Sequence, residues 1–153
     1  MSIFLRSPSF EDKGIIPSKH AYDREDVSPA IQWENLPEGT KSIALICEDP
    51  DAPMGDWIHW IVFNIPPTKK GLEEDIPKVE ELSDGTKQGK NDYGKIGYGG
   101  PCPPFGTHRY IFKVYALDAK LDLKPGCTKA ELLKAMRPHI IDQGEITGLY
   151  SRK

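Results

Sequence analysis

Cysteine is scarce in this chain. Cys47, Cys102 and Cys127 are an odd three with no C-x-x-C spacing, which excludes a disulfide framework and a zinc knuckle and leaves them as thiols. Long hydrophobic runs are missing too. The apolar patch from Ile3 to Leu5 is too short for a signal-peptide core, and no stretch approaches a membrane span, so a cytoplasmic protein is expected. There is no basic block, and a net charge of -3 with a pI near 5.8 argues against non-specific attraction to nucleic acid or anionic lipid. No G-x-S-x-G, H-E-x-x-H or triad order appears, so no catalytic motif is found.

Two glycine patterns imitate nucleotide motifs and fail on context. "GKNDYGK" has Ile96 where a magnesium-binding hydroxyl belongs, and no apolar strand leads into it. "GYGGPC" lacks the last glycine and the following helix of a dinucleotide fingerprint. No nucleotide cofactor, or any other, is implied.

What the chain has is the size and composition of one soluble domain, residues 1–153, with 38% hydrophobic and 28% charged residues. Fourteen glycines and fourteen prolines cut it into short segments, which predicts a mainly β fold. Strands are expected at Ile3 to Leu5, Ile31 to Trp33, Ser42 to Cys47, Ile58 to Ile65, His108 to Leu117 and Glu145 to Tyr150, where β-branched and aromatic residues lie between turn formers. "SIALICED" and "WIHWIVFNI" read as central strands covered on both faces. In "CTKAELLKAM", Thr128 followed by Glu131 makes a capping-box pattern ahead of Leu132, Leu133 and Met136, and Pro138 ends or restarts that helix. Residues 84–107 are too rich in Gly and Pro for regular structure, but Tyr93, Tyr98 and Phe105 suggest an ordered loop packed on the body.

The chemistry concentrates in two segments. In "DPDAP", Pro50 and Pro53 restrict Asp49 and Asp51, either as an Asx-type turn or as placed carboxylates. In "GPCPPFGTHRYIF", alternation puts His108, Tyr110 and Phe112 on one strand face and Arg109 on the other. A lone histidine in an apolar strand is usually a satisfied core residue. Two such histidines, His59 and His108, beside Asp49 instead suggest an anion site: imidazoliums and the Tyr110 hydroxyl donate, and a carboxylate orients a histidine or accepts an ammonium group. Arg109 is expected to pair with Asp51 as a bidentate clamp. His20 is read as a loop residue and His139 as a helix-end residue. The alternative use of Asp49, His59 and His108 is a hydrolase or a metal-dependent enzyme, since two histidines and a carboxylate can hold a transition metal.

"DPDAP", "HW" before "NIP" and "GPCPPFGTHRYIFKVYALD" resemble the phosphatidylethanolamine-binding protein family, most closely its prokaryotic Raf-kinase-inhibitor-like branch. The likeness extends through "SPAIQW", "KQGKNDYGKIGYGG" and "GLYSR". It implies a large central antiparallel sheet, a smaller second sheet, one or two short helices near the C-terminus, and a pocket for phosphate or phosphorylethanolamine-like anions. The pocket would use Asp49, His59, Gly100, Pro101, His108 and Tyr110, supported by Asp51, Arg109 and Cys102. Cys102 aligns where eukaryotic members carry a second proline. A cis peptide bond near Pro53, a homodimer, and partners that include a kinase or a protease are further implications of the resemblance. The long C-terminal helix of the animal proteins is not expected, nor the regulation that goes with it.

Overall fold

The computed structural model describes residues 3–152. In chain order its elements are β1 (Phe4–Arg6), β2 (Gly14–Ile15), a 3-10 turn (Ser18–His20), β3 (Ile31–Glu34), β4 (Ser42–Asp49), β5 (Trp57–Ile65), β6 (Gly71–Leu72), β7 (Lys87–Gln88), β8 (Thr107–Leu117), α1 (Lys129–Met136), a second 3-10 turn (Arg137–His139) and β9 (Ile140–Ser151). Each of the six expected strands is present with its ends moved by a few residues. β2, β6 and β7 are two-residue pairings, too short to leave a periodic signature.

The main sheet runs β2-β9-β8-β4-β5-β7, and a small sheet runs β1-β3-β6. Every pairing is antiparallel except β2 with β9, so the large sheet is mixed at one edge. β4 is buried along its whole length because it lies between β8 and β5 and is covered on both faces. Its odd residues Ile43, Leu45 and Cys47 join Trp60, Val62, Tyr110, Phe112 and Val114 in a core shared with Leu5, Ile31, Trp33 and Leu72 of the small sheet. Its even residues Ala44 and Ile46 join Ile61, Phe63, Tyr115 and Leu117 against Leu132 and Met136 of α1. The helix starts as expected: the Thr128 hydroxyl accepts from Glu131 N–H, and the Glu131 carboxylate accepts from Thr128 N–H.

β5 departs twice from regular alternation, and the departures position the site. Cys47 faces Trp60 while Glu48 faces Ile58, so His59 is an extra residue, a β-bulge. Ile58 and Ile61 pack toward α1, yet Trp60 and Val62 pack toward the small sheet. Strict alternation would aim His59 at the helix side with Ile61; the bulge turns it to the opposite face, beside Tyr110. A second shift between Ile43 and Leu45 leaves Asn64 at φ 54°, where its side chain exchanges two hydrogen bonds with the Leu121 backbone.

Two expectations need correction. No cis peptide bond occurs among the described residues. The 49–55 segment reverses instead through an Asx turn, the Asp49 carboxylate accepting from Asp51 N–H at 2.7 Å, and through Gly55 at φ 103°. His20 lies in the first 3-10 turn rather than in a loop, and is wholly buried, its Nδ1 donating to the Val27 carbonyl at 2.7 Å. Among the described residues, no helix is long and apolar enough to cross a membrane.

Candidate functional site

A cavity of about 350 Å³ opens between the end of β4, the start of β5, the start of β8 and the Pro-rich loop before it. Its polar floor is Asp49, His59, His108 and Tyr110, all buried at 5% exposure or less. Four residues from three strands meet here because β4 is the common neighbour of β5 and β8, and the β4–β8 register brings Asp49 to the end of β8 that carries Tyr110 and His108. His59 joins them only through its bulge.

Each imidazole is oriented by its Nδ1. His108 Nδ1 bonds one Asp49 carboxylate oxygen at 2.6 Å, and the other oxygen is taken by Asp51 N–H. His59 Nδ1 bonds the Gly99 carbonyl at 2.7 Å. Carboxylate and carbonyl oxygens only accept, so both Nδ1 atoms carry hydrogen and both Nε2 atoms stay available to a guest. A neutral Nε2 accepts; a protonated one donates. Burial holds His59 below the ordinary histidine range, with the Gly99 carbonyl and the Asp49 carboxylate opposing that shift, so the resting ring is neutral at pH 7. The Tyr110 phenol is pushed well above its usual range, first by burial and then by Asp49, so it remains a hydroxyl donor.

Two residues lining this cavity carry a buried polar atom with no hydrogen-bond partner among the described residues: the Tyr110 hydroxyl and Trp57 Nε1–H. The His59 ring meets the Tyr110 ring edge-on at 5.1 Å, so packing fixes the phenol without satisfying its oxygen. Unpaired buried donors cost a fold stability and are uncommon, and both of these belong to residues that line one cavity.

The opposite wall is aromatic. Tyr22 and Tyr93 stack at 3.9 Å, and Trp57 meets Tyr93 edge-on at 5.4 Å. Ala52, Pro53, Cys102, Pro103 and Pro104 complete the lining, so Cys102 is part of the cavity.

Gly100 and Pro101 are not among the lining residues; they hold the wall from behind. Gly100 N–H donates to Asp26 at 2.7 Å, the Gly100 carbonyl accepts from the Tyr93 hydroxyl at 2.7 Å, and the Pro101 carbonyl accepts from Tyr22 N–H. Only glycine fits at position 100, since a Cβ there would run into the His20 carbonyl. Asp51 and Arg109 also lie outside the lining. Arg109 donates to both Asp51 oxygens at 2.9 Å, and its guanidinium holds the Asp51 carboxyl down at about 2. The pair ties the 49–55 turn to β8.

Tyr22, Trp57 and Tyr93 were missed as site residues by sequence reasoning. Trp57 was visible only as one member of an apolar run, and Tyr93 only as an aromatic of an ordered loop. Asn91 shapes that loop by accepting from Tyr93 and Lys95 N–H, an Asn-led turn signal present in "NDYGK". Among the described residues, no group of three or more His, Cys, Asp and Glu is arranged to hold a metal ion.

The profile of the phosphatidylethanolamine-binding protein family matches residues 6–151. A UPF0098 protein of Methanothermobacter thermautotrophicus is 51% identical over 148 residues, covering 97% of this chain and 98% of that protein. One from Aquifex aeolicus is 50% identical over 155 residues, covering 99% and 89%. The crystal structure of YbcL from Escherichia coli, described as a new member of the mammalian family, superposes with a TM-score of 0.92 at 34% identity over the whole of both chains. A Chlamydia trachomatis homologue gives 0.91 at 39% identity, covering 99% of each chain.

Proposed function

The chain belongs to the phosphatidylethanolamine-binding protein family, and on that premise we propose that its cavity binds a small anion of the phosphate-monoester class. The observation that carries this reading is that one cavity is lined by Tyr110 and Trp57, whose hydroxyl and N–H have no partner among the described residues, and by two imidazoles already bonded through Nδ1. Charge-assisted hydrogen bonds from such groups are the strong kind, and the partly enclosed cavity lowers competition from water. Asp49 keeps His108 oriented through its Nδ1. The aromatic wall of Tyr22, Tyr93 and Trp57 suits a carbon-bearing substituent on the anion better than bare phosphate. A lipid headgroup and a phosphorylated side chain of a partner both carry this chemistry, and inhibition of a kinase or a protease would act through the second.

The test is calorimetry with phosphorylethanolamine and with phosphate at pH 6. Saturable one-to-one binding that His108→Ala weakens at least tenfold supports the reading. No measurable heat of binding, or affinity unchanged in the variant, overturns it. A second reading rests on the Asp49–His108 bond, the arrangement that orients a general base. Turnover of a phosphate ester by the same sample, lost in His108→Ala, would favour that enzyme.

A further inference from the structure

The three thiols have different fates. Cys47 and Cys127 are buried; burial pushes Cys127 up to about 11 and Cys47 well above the ordinary thiol range, so both stay protonated and sealed. Cys102 is half-buried and lines the cavity. It stands between Pro101 and Pro103, whose rings fix the backbone on either side, so the thiol is held at the cavity wall. Cys102 lines the same cavity as Tyr93, Tyr110, His59 and His108. Tyr110 is only 1% exposed, and its unpartnered hydroxyl independently marks the same cavity as built to receive a guest with acceptor atoms.

Resting on the anion reading above, we infer that Cys102 is a covalent modification site: a small disulfide bearing carboxylates is seated by His59, His108 and Tyr110, exchanges with the thiol, and leaves one half attached as a plug. The Cys102 thiolate attacks one sulfur of the disulfide; the new S–S bond forms as the old one breaks. The other half departs as a thiolate and takes up the proton that Cys102 gave away. No separate oxidant is needed, because the disulfide supplies the oxidising equivalent. A thiol of tripeptide size occupies much of a 350 Å³ cavity, so the modified protein is closed to free anions. Reduction by excess thiol reopens it.

Glutathione disulfide is the anionic probe, 2-hydroxyethyl disulfide the neutral one, and an unstructured cysteine peptide the reference thiol. Intact mass counts the thiols added and gives the rates. One thiol per chain is expected, none in Cys102→Ser. After normalisation to the peptide, glutathione disulfide should react about tenfold faster than the neutral reagent, and inorganic phosphate should slow it. Calorimetry on the glutathionylated protein should show phosphate binding lost and then restored by dithiothreitol. Equal normalised rates with no phosphate protection, addition at Cys47 or Cys127, or phosphate binding that survives modification would each overturn the inference and leave the anion reading standing. Absence of phosphate binding before modification would overturn the anion reading itself, and this inference with it.

Discussion

Replacing Tyr110 by Phe should move stability and affinity in opposite directions. The hydroxyl is buried with no partner among the described residues, while the ring is packed against His59 and the inner core. Phe keeps the ring and its buried area, so the apolar contribution is unchanged. An unsatisfied buried polar group costs about 1–3 kcal/mol. Taking the lower end of that range, the variant should gain about 1 kcal/mol. For a domain of this length that is about 2–4 °C in Tm, read by calorimetric melting without ligand. A hydrogen bond to a charged partner contributes about 1.5–3 kcal/mol, so phosphate affinity should fall about tenfold to a hundredfold by titration calorimetry. A variant that melts lower than the parent, or that binds phosphate as tightly, refutes the argument that this hydroxyl is held in reserve for a guest.

Three other outcomes follow from the same geometry. Because burial holds His59 below 6.5, the unfolded chain takes up the proton first: stability is complete above about pH 6.5 and declines as pH falls below it, while affinity for sulfate, which does not itself titrate there, should rise by up to about tenfold per pH unit for each proton gained. Chemical-denaturation and calorimetric series from pH 5 to 8 check both slopes, and a flat sulfate affinity would remove the imidazoliums from the site. Glu48 is buried and bonded to Lys129 at 2.8 Å and Lys113 at 3.0 Å, so Glu48→Gln should cost about 1–3 kcal/mol, whereas Arg109→Ala breaks a more exposed pair and should lower Tm less. Burial resists ionisation of Glu48, but the two lysines outweigh it, so this contribution stands above pH 4.5 and fades as pH falls through the depressed value. Gly100→Ala should cost about 1–3 kcal/mol and weaken anion binding as well, because it forces the 97–101 segment away from His20 and loosens Tyr93; equal loss of affinity in a cavity-remote glycine variant such as Gly144→Ala would show that general softening is responsible.

The long central strands were legible because burial on both faces leaves little room for polar residues: "SIALICED" and "WIHWIVFNI" carry that signature whatever they pair with. The capping box was legible because it is wholly local. The face occupied by His59 was not, since periodicity assigns it with Ile61, and only the mismatch between Cys47–Trp60 and Glu48–Ile58 turns it inward. Gly100 and Pro101 carry backbone polar groups to Tyr93, Tyr22 and Asp26, contacts that depend on chain crossings far apart in sequence. For the same reason Tyr22 and Trp57 gave no sign of belonging together: their meeting is made through Tyr93.

The bulge also explains why one fold can carry so much unsatisfied polarity in its interior. A bulge weakens the ladder locally, and here it sits where β4 ends and its partner pairing stops at Asp49–Trp57. Around it the structure is tied by side-chain bonds instead: Asp92 accepts from Ile58 N–H, Gly99 accepts from His59, and the Asp51–Arg109 pair closes the far rim. These bonds fix where the donors point without consuming Tyr110, Trp57 N–H or either Nε2. Replacing the Tyr110 hydroxyl by hydrogen would pack as well and leave nothing unpaired, whereas either imidazole also satisfies a buried oxygen through its Nδ1, so the hydroxyl is the group whose cost a guest would offset, and binding should then raise Tm.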